Sequence, residues 1–429
     1  MFFPSPLMNF QPESDMCSDV DHVGNMNCPA VAPMPPVSDT DYRFFFRFPS
    51  TPTQSGPEGS DILFDFNHGC RIFLPPGNWQ VKVEDSESGH VFGDTAVQEG
   101  MVESQIKYFV PFVFNIYRDG LHVMTHEMNL CDQSVLISME CAALGDTLAW
   151  FPAVVRFQQR HGCRLTCRMD ARFHELFAGS YPHIRFIAAD QQDDEPYYAS
   201  YLMNTGLGKD ASLYCPVTSH KTSLHHISYH ILGLPPDDSP AHIEAPASMR
   251  PIDQPYVCIG VQSTSMCKLW NNPAGWLEVV NALNARGYRV ICIDRDTVTG
   301  EGLCWNAIPH GAENQTGPRP LSERLNWLRH AEFFIGLSSG LSWLAWAARI
   351  PVVLISGFTD PLSEFPTPYR VINRYVCNSC WNDDRFVFDS KDYFWCPRHQ
   401  GTSEQFICSR AITSRQVMDI IDTIPNLPL

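Results

Sequence analysis

The chain has no apolar run near the ~20 residues that a membrane-crossing helix requires. Its most apolar stretches, such as IPVVLIS at 350–356, are far shorter. It also lacks a basic excess: 30 Lys and Arg stand against 47 Asp and Glu, for a formal net charge of −17. So acidic a chain is not expected to bind nucleic acid, because it lacks the surface that displaces counterions. A local basic pocket for a small anion remains compatible with that balance. The opening MFFPSPLMNFQPESDMC has neither a basic n-region nor an apolar h-region, so no secretory signal is expected. A cytoplasmic setting follows, in which the 16 cysteines are expected to stay reduced. Most of them, such as Cys258 and Cys292, lie in apolar runs and read as small buried hydrophobes. No repeat with a period of 20–50 residues is visible.

What the chain does have is enough length and apolar content for a large core. Its 429 residues are 44% hydrophobic and 18% charged, which suits a globular protein of two or three domains. Residues 1–40, rich in Pro, Ser, Asp and Met and without period, read as a disordered arm. From 41 to 130 the pattern is of short strands (YRFFFRF, DILFDF, CRIFLP, WQVKVED), and the RDG after an aromatic run at 112–117 reads as a hairpin turn. This segment is expected to be a β-rich N-terminal domain.

From 131 to 235 strand and helix patterns alternate, the mark of βα units around a parallel sheet. SVLISME and IRFIAAD read as strands; LGDTLAWFPAVVRFQQRHG and VTSHKTSLHHISYHILGL read as helices. A Pro-rich polar linker is expected at 236–254. A second alternating run fills 255–429 and closes with the helical SRQVMDIIDTI. Two α/β halves joined by a linker imply a two-lobed enzyme with ligand at the carboxyl ends of the strands, in the cleft.

Four places could carry chemistry. In LISMECAALGDTLAW a strand feeds a small-residue turn and a helix. Asp146 there fits two readings: a helix cap, or a general base facing the cleft. In IGVQSTSMCKLW, the hydroxyls of Ser263 and Thr264, the loop N–H groups and the Lys268 ammonium could cradle a diphosphate; a solvated loop lysine is the plainer reading. In FFIGLSSGLSWLAWAARI, Ser338, Ser339 and Gly340 precede a helix whose first N–H groups suit a phosphate or sugar, or simply a well-capped core helix. Trp343 and Trp346 read as packing residues.

The fourth is Cys377–Cys408, spaced C-x2-C-x15-C-x11-C among turn and charged residues. Reduced thiols at this spacing favour tetrathiolate metal coordination by Cys377, Cys380, Cys396 and Cys408 over disulfides. Zinc is the first chemical choice and iron the second. His399 is a possible fifth ligand, but four thiolates complete a closed, structural site. A finger placed after the last strand is expected to lie outside the donor loops and to serve assembly or acceptor docking.

The motifs LGDTLAWFP, TSMCKLWNN and GLSSGLSWLAWAARIPVVLISG, together with the four-cysteine finger, resemble those of the bacterial autotransporter heptosyltransferases. The resemblance covers about 134–423. It implies a GT-B fold of two Rossmann-like lobes, with an N-terminal β-rich domain and a C-terminal four-cysteine metal finger at 377–408. It implies transfer of heptose from ADP-heptose to serines of a strand-loop-strand autotransporter adhesin, with inversion and with Asp146 as base. Lys268 would neutralise the diphosphate, and Ser338, Ser339 and Gly340 would form the donor loop. It further implies iron in the finger, with zinc the alternative, and a dodecamer. One departure stands out: related lipopolysaccharide enzymes usually carry an Asp in the donor loop, where this chain has Gly336-Leu337-Ser338-Ser339. The alternative activity is that of a lipopolysaccharide core heptosyltransferase.

Overall fold

Fully apolar four-residue strands need cover on both faces, and the second half of the chain supplies it. Tyr256–Ile259, Phe334–Leu337 and Val352–Ile355 are buried along their whole length, and Arg289–Cys292 is buried beyond its first residue. All pair in parallel, with Glu313–Asn314 and Arg370–Val371 at the edges. In chain order the six strands lie 3-2-1-4-5-6, the Rossmann arrangement. Alternate side chains divide between two layers. Val257 and Ile259 pack toward the helices Gly275–Ala285 and Ser414–Ile421. Tyr256 and Cys258 pack toward Leu321–His330 and Gly340–Ala347.

The computed structural model describes residues 48–139, 143–205, 211–243 and 249–428. The expected arm at 1–40 lies outside them, as does 244–248 of the expected linker. Among the described residues no helix is long and apolar enough to cross a membrane.

The first lobe repeats the logic. Ser134–Ser138, Arg164–Met169, Arg185–Ala188 and Ala199–Leu202 are parallel and lie 3-2-1-4. The sheet does not stop there. Leu63–Asn67 adds in parallel to Ala199–Leu202, with Phe66 opposite Ala199, and Arg71–Leu74 and Gly100–Glu103 continue it antiparallel. Of the strands expected before residue 130, YRFFFRF lies outside the described residues but for Phe48; the others are present, and half of the strands in this segment extend the first lobe's sheet. The rest form a four-stranded antiparallel sheet, Val91–Val97, Trp79–Asp85, Phe112–Arg118 and Leu121–Glu127. The expected RDG turn joins its last two strands, with positive φ at Asp119 (51°) and Gly120 (80°), as a type I′ turn demands.

Helix Leu144–His161 ends on Gly162 in the left-handed region (φ 62°). The second expected helix is shorter than the pattern suggested: only Leu224–Ile231 is α-helical, and Ser219, His220 and Lys221 form a turn before it. His225 and His226 each place Nε2 2.8 Å from Asp238 Oδ1, which ties this helix to the linker. A single apolar cluster runs from Phe151 and Val154 of the first lobe to Trp343, Leu344 and Phe365 of the second.

Where the β-rich segment meets the lobe, Arg71 grips Asp65 through Nε and Nη2 at 2.8 and 2.7 Å, both side chains at 2% exposure or less. Asn67 and the Thr53 N–H complete the carboxylate's shell. Asp65→Asn leaves a buried guanidinium without its counter-charge. We expect a loss of about 3–5 kcal/mol, measured by denaturant unfolding of the full chain.

Candidate active site

Both lobes present the loop that follows their first strand to a common cleft, at the point where strand order reverses. Ligands bind there in open α/β sheets. In the first lobe strand Ser134–Ser138 leads to helix Leu144–His161. Asp146 lies in its first turn and accepts the Ala143 N–H at 3.0 Å. The capping reading therefore holds in part, but one oxygen is enough for it. Burial raises the affinity of this carboxyl for a proton, the Ala143 N–H opposes that, and the charge of Lys268 opposes it from the other lobe. Asp146 and Lys268 thus share one electrostatic neighbourhood.

The two lobes touch through glycines. A Cβ on Gly340 would stand 3.0 Å from Leu144 Cβ and 3.2 Å from Gly145 N; one on Gly145 would stand 3.1 Å from Trp343. The N-termini of helices Leu144–His161 and Gly340–Ala347 therefore converge, and both point positive dipole ends at the cleft.

In the second lobe Lys268 ends a 3-10 turn, Met266–Lys268. Its ammonium lies 5.2 Å from the Phe388 ring centre and 5.8 Å from that of Phe358. Ser263 is half-buried and Thr264 exposed, and neither hydroxyl makes a hydrogen bond among the described residues. Ser339 takes the N-cap position of helix Gly340–Ala347 with extended backbone. Ser338 instead gives its hydroxyl proton to Glu364, at 2.5 Å.

Three groups behind these loops escaped the sequence reading. Asp294 closes the second strand and accepts the Val261 N–H at 2.7 Å; burial pushes its carboxyl up to about 6. Its signal was legible, since an acidic residue often ends the second strand of a Rossmann half. Arg324, buried, donates to the carbonyls of Ile293 (2.9 Å) and Asp294 (3.1 Å). Glu364 and Arg370 form a buried pair at 2.6 Å under Ser338. Nothing in the local sequence announces that pair, because its members meet only through the fold.

The cysteine segment, read from the sequence as lying outside the donor loops, packs directly against the one that carries Lys268. The Met266 N–H donates to Tyr393 O at 2.9 Å, and Cys267 is packed among Phe358, Cys380, Trp395, Cys396 and Phe406. The segment also reaches the first lobe: Trp381 Nε1 donates to Ser219 O at 3.2 Å and Asn382 Nδ2 to His220 O at 2.9 Å. The reason is aromatic content, since Trp381, Phe388 and Trp395 need cover that the donor lobe provides.

Cys380, Cys396 and Cys408 are buried and Cys377 half-buried, and none is in a disulfide. Burial first, then the charges of neighbouring thiols, push Cys380 and Cys408 up to about 12. The set is loose, however: among the described residues only His225, His226 and Asp238 bring three ligand atoms within 4.8 Å of one another.

A family model described as the N-terminal domain of glycosyltransferase TibC matches residues 56–120, and one described as glycosyltransferase family 9 (heptosyltransferase) matches 230–391. The autotransporter heptosyltransferase TibC of Escherichia coli O78:H11 is 47% identical over 383 residues, 89% of this chain and 93% of TibC. A crystal structure of TibC, dodecameric, iron-containing and in complex with ADP-D-beta-D-heptose, superposes with a TM-score of 0.84 at 47% identity, over 88% of this chain and 98% of that one. The autotransporter heptosyltransferase BAHTCr of Citrobacter rodentium is 47% identical over 385 residues, 89% of this chain and 93% of its own. An inactive autotransporter heptosyltransferase, BimC of Burkholderia thailandensis, is 41% identical over 401 residues, 93% of this chain and 94% of its own. With identity of this order spread over nearly nine-tenths of its length, this chain belongs to the autotransporter heptosyltransferase family.

Proposed function

We propose that the chain is an active protein O-heptosyltransferase that moves heptose from ADP-heptose to serine hydroxyls of an autotransporter adhesin. Because one relative is named inactive, family membership alone does not carry this reading. The observation that carries it is the opposition of Asp146 and Lys268 across the cleft.

Each group then has a task. Asp146 accepts the proton of the acceptor serine as its oxygen attacks the anomeric carbon. The bond from that carbon to the ADP oxygen breaks with its electron pair, and configuration inverts. Lys268 holds the negative charge arriving on the departing diphosphate, aided by the Ser263 and Thr264 hydroxyls and the loop N–H groups. Ser338, Ser339 and Gly340 receive the donor's sugar and distal phosphate at the second helix N-terminus. The lipopolysaccharide reading gains no support from the β-rich segment and the finger. The match of residues 56–120 to the TibC N-terminal model favours the protein acceptor.

Cys377, Cys380, Cys396 and Cys408 would hold a metal, iron by likeness to TibC and zinc as the alternative. The donor chemistry fits: four reduced thiols lie in one segment, and a bound cation would stabilise them as thiolates. When bound, the metal supplies a structural cross-link. A dodecamer is the expected assembly, and the hairpin Val298–Glu301/Cys304–Ala307 offers apolar surface for subunit contacts, with Leu303 fully exposed and Trp305 66% exposed. A nucleotide-sugar donor, and cysteines read as reduced, support a cytoplasmic reaction.

Asp146→Asn should abolish transfer to a co-expressed adhesin, a fall of about 10²–10⁴ in kcat, with ADP-heptose binding retained. Transfer by that variant at the normal rate, read by intact-mass analysis of the adhesin, would refute the base assignment. The pH profile offers a second check. A raised carboxyl acts as base only above its own pKa, so kcat/KM should fall on the acid side from a pH above the usual carboxylate range. Lys268→Ala should move that limb to still higher pH, since it removes a charge that favours the carboxylate.

Cys396→Ser should lose the metal, measured by elemental analysis. It should also weaken ADP binding, because the finger packs on the loop carrying Lys268. A metal-free quadruple cysteine variant with full donor affinity and unchanged assembly would overturn this role.

A further inference from the structure

Ser338 lies in the loop after the fourth strand of the Rossmann sheet, next to the cleft, yet its proton points away from the cleft. Oγ donates to Glu364 Oε1 at 2.5 Å. The same oxygen accepts from Thr359 Oγ1 at 2.7 Å, and Oε2 accepts from Arg370 Nη1 at 2.6 Å. Arg370 Nη2 donates to Thr359 O at 2.9 Å and to Thr359 Oγ1 at 3.0 Å. Ser356 and Thr359 hydroxyls stand 2.8 Å apart. Glu364 is 5% exposed, and its pair with Arg370 leaves the knot without net charge.

Hydrogen directions in this knot are fixed by chemistry. A guanidinium can only donate, and an ionised carboxylate can only accept. Thr359 must therefore give its proton to Glu364, and Ser356 must give its own to Thr359. Ser338 likewise has its single proton committed inward. What remains on Ser338 Oγ is lone-pair density, so toward a bound ligand it can act only as an acceptor.

We propose that Glu364 is a positioning residue for the donor's sugar. By holding the Ser338 proton, it makes Ser338 an acceptor-only contact that selects a sugar hydroxyl able to donate to it. This rests on the donor reading given above. Glu364 touches no substrate and acts through Ser338. Replacing Glu364 by Gln frustrates the knot: its amide must turn N–H toward either Arg370 or the two hydroxyls, both of which are arranged to donate. In the second case Ser338 releases its proton outward and becomes a donor.

The test is calorimetry on purified full-length protein, with ADP and ADP-heptose titrated separately and no acceptor present. The ratio of the two dissociation constants isolates the sugar. In the wild type ADP-heptose should bind more tightly than ADP. Ser338→Ala and Glu364→Gln should each cut that advantage about 5–10-fold, the worth of one hydrogen bond of about 1 kcal/mol, while ADP affinity changes about 2-fold at most. In the Ser338→Ala background Glu364→Gln should have no further effect on the ratio, as for residues acting through one contact. A merely structural Glu364 would instead weaken ADP and ADP-heptose alike and add to Ser338→Ala. That result overturns the proposal, and so does an unchanged ratio in Ser338→Ala alone, which decides the matter even where Glu364→Gln does not fold. Wild-type protein that binds ADP but gains nothing from the heptose sinks this inference alone. Wild-type protein that binds neither removes the donor reading itself, and this one with it.

Discussion

Two glycines set the distance on which the site depends. Gly145 and Gly340 let the first turns of two helices, one from each lobe, approach to a separation that a single methyl group would fill. That approach brings an acidic first turn and a hydroxyl-rich first turn to opposite sides of one cleft, and Lys268 comes within electrostatic reach of Asp146. It also explains why Asp146 is hard to ionise. The contact removes water from Asp146, and two convergent dipoles and one ammonium only partly replace it.

The cleft is braced from behind as well. The cysteine segment carries Phe388 to the Lys268 ammonium and Trp381 and Asn382 to the Ser219–His220 turn of the other lobe. Asn382 also accepts the Asp360 N–H at 2.7 Å, four residues before Glu364. One compact element thereby touches Lys268, the segment that leads to Glu364 and the opposite lobe. A metal held by Cys377, Cys380, Cys396 and Cys408, as proposed above, would stiffen all three together.

Much of this was legible in the sequence because it obeys local rules. Strand-turn-helix patterns marked the loops of Asp146, Lys268 and Ser338, and the Asp-Gly dipeptide fixed its hairpin through positive φ at Asp119 and Gly120. The 3-2-1-4-5-6 order then turned those marks into a common location. What stayed hidden depends on partners distant in the chain. Glu364 needs Ser338 and Arg370. The finger's position needs the surface of Cys267 and Phe358. The β-rich segment looked autonomous because antiparallel strands carry the same alternation whether they stand alone or extend a neighbouring sheet, and only the pairing of Phe66 with Ala199 decides between the two.

That last pairing has a kinetic meaning. Leu63–Asn67 is made early in synthesis, but its parallel partner Ala199–Leu202 follows only after the four strands of the antiparallel sheet and five others of its own sheet. Contacts this distant in sequence slow folding, since loop-closure entropy must be met before pairing rewards it. Until then the Phe66–Asn67 end of that edge lies bare, while Gln54–Ser55 already covers Leu63 and Phe64 and the Asp65–Arg71 pair joins the two strands of the hairpin. The ion pair thus keeps a nascent edge in register, and newly made chain is most open to intermolecular strand pairing during that interval.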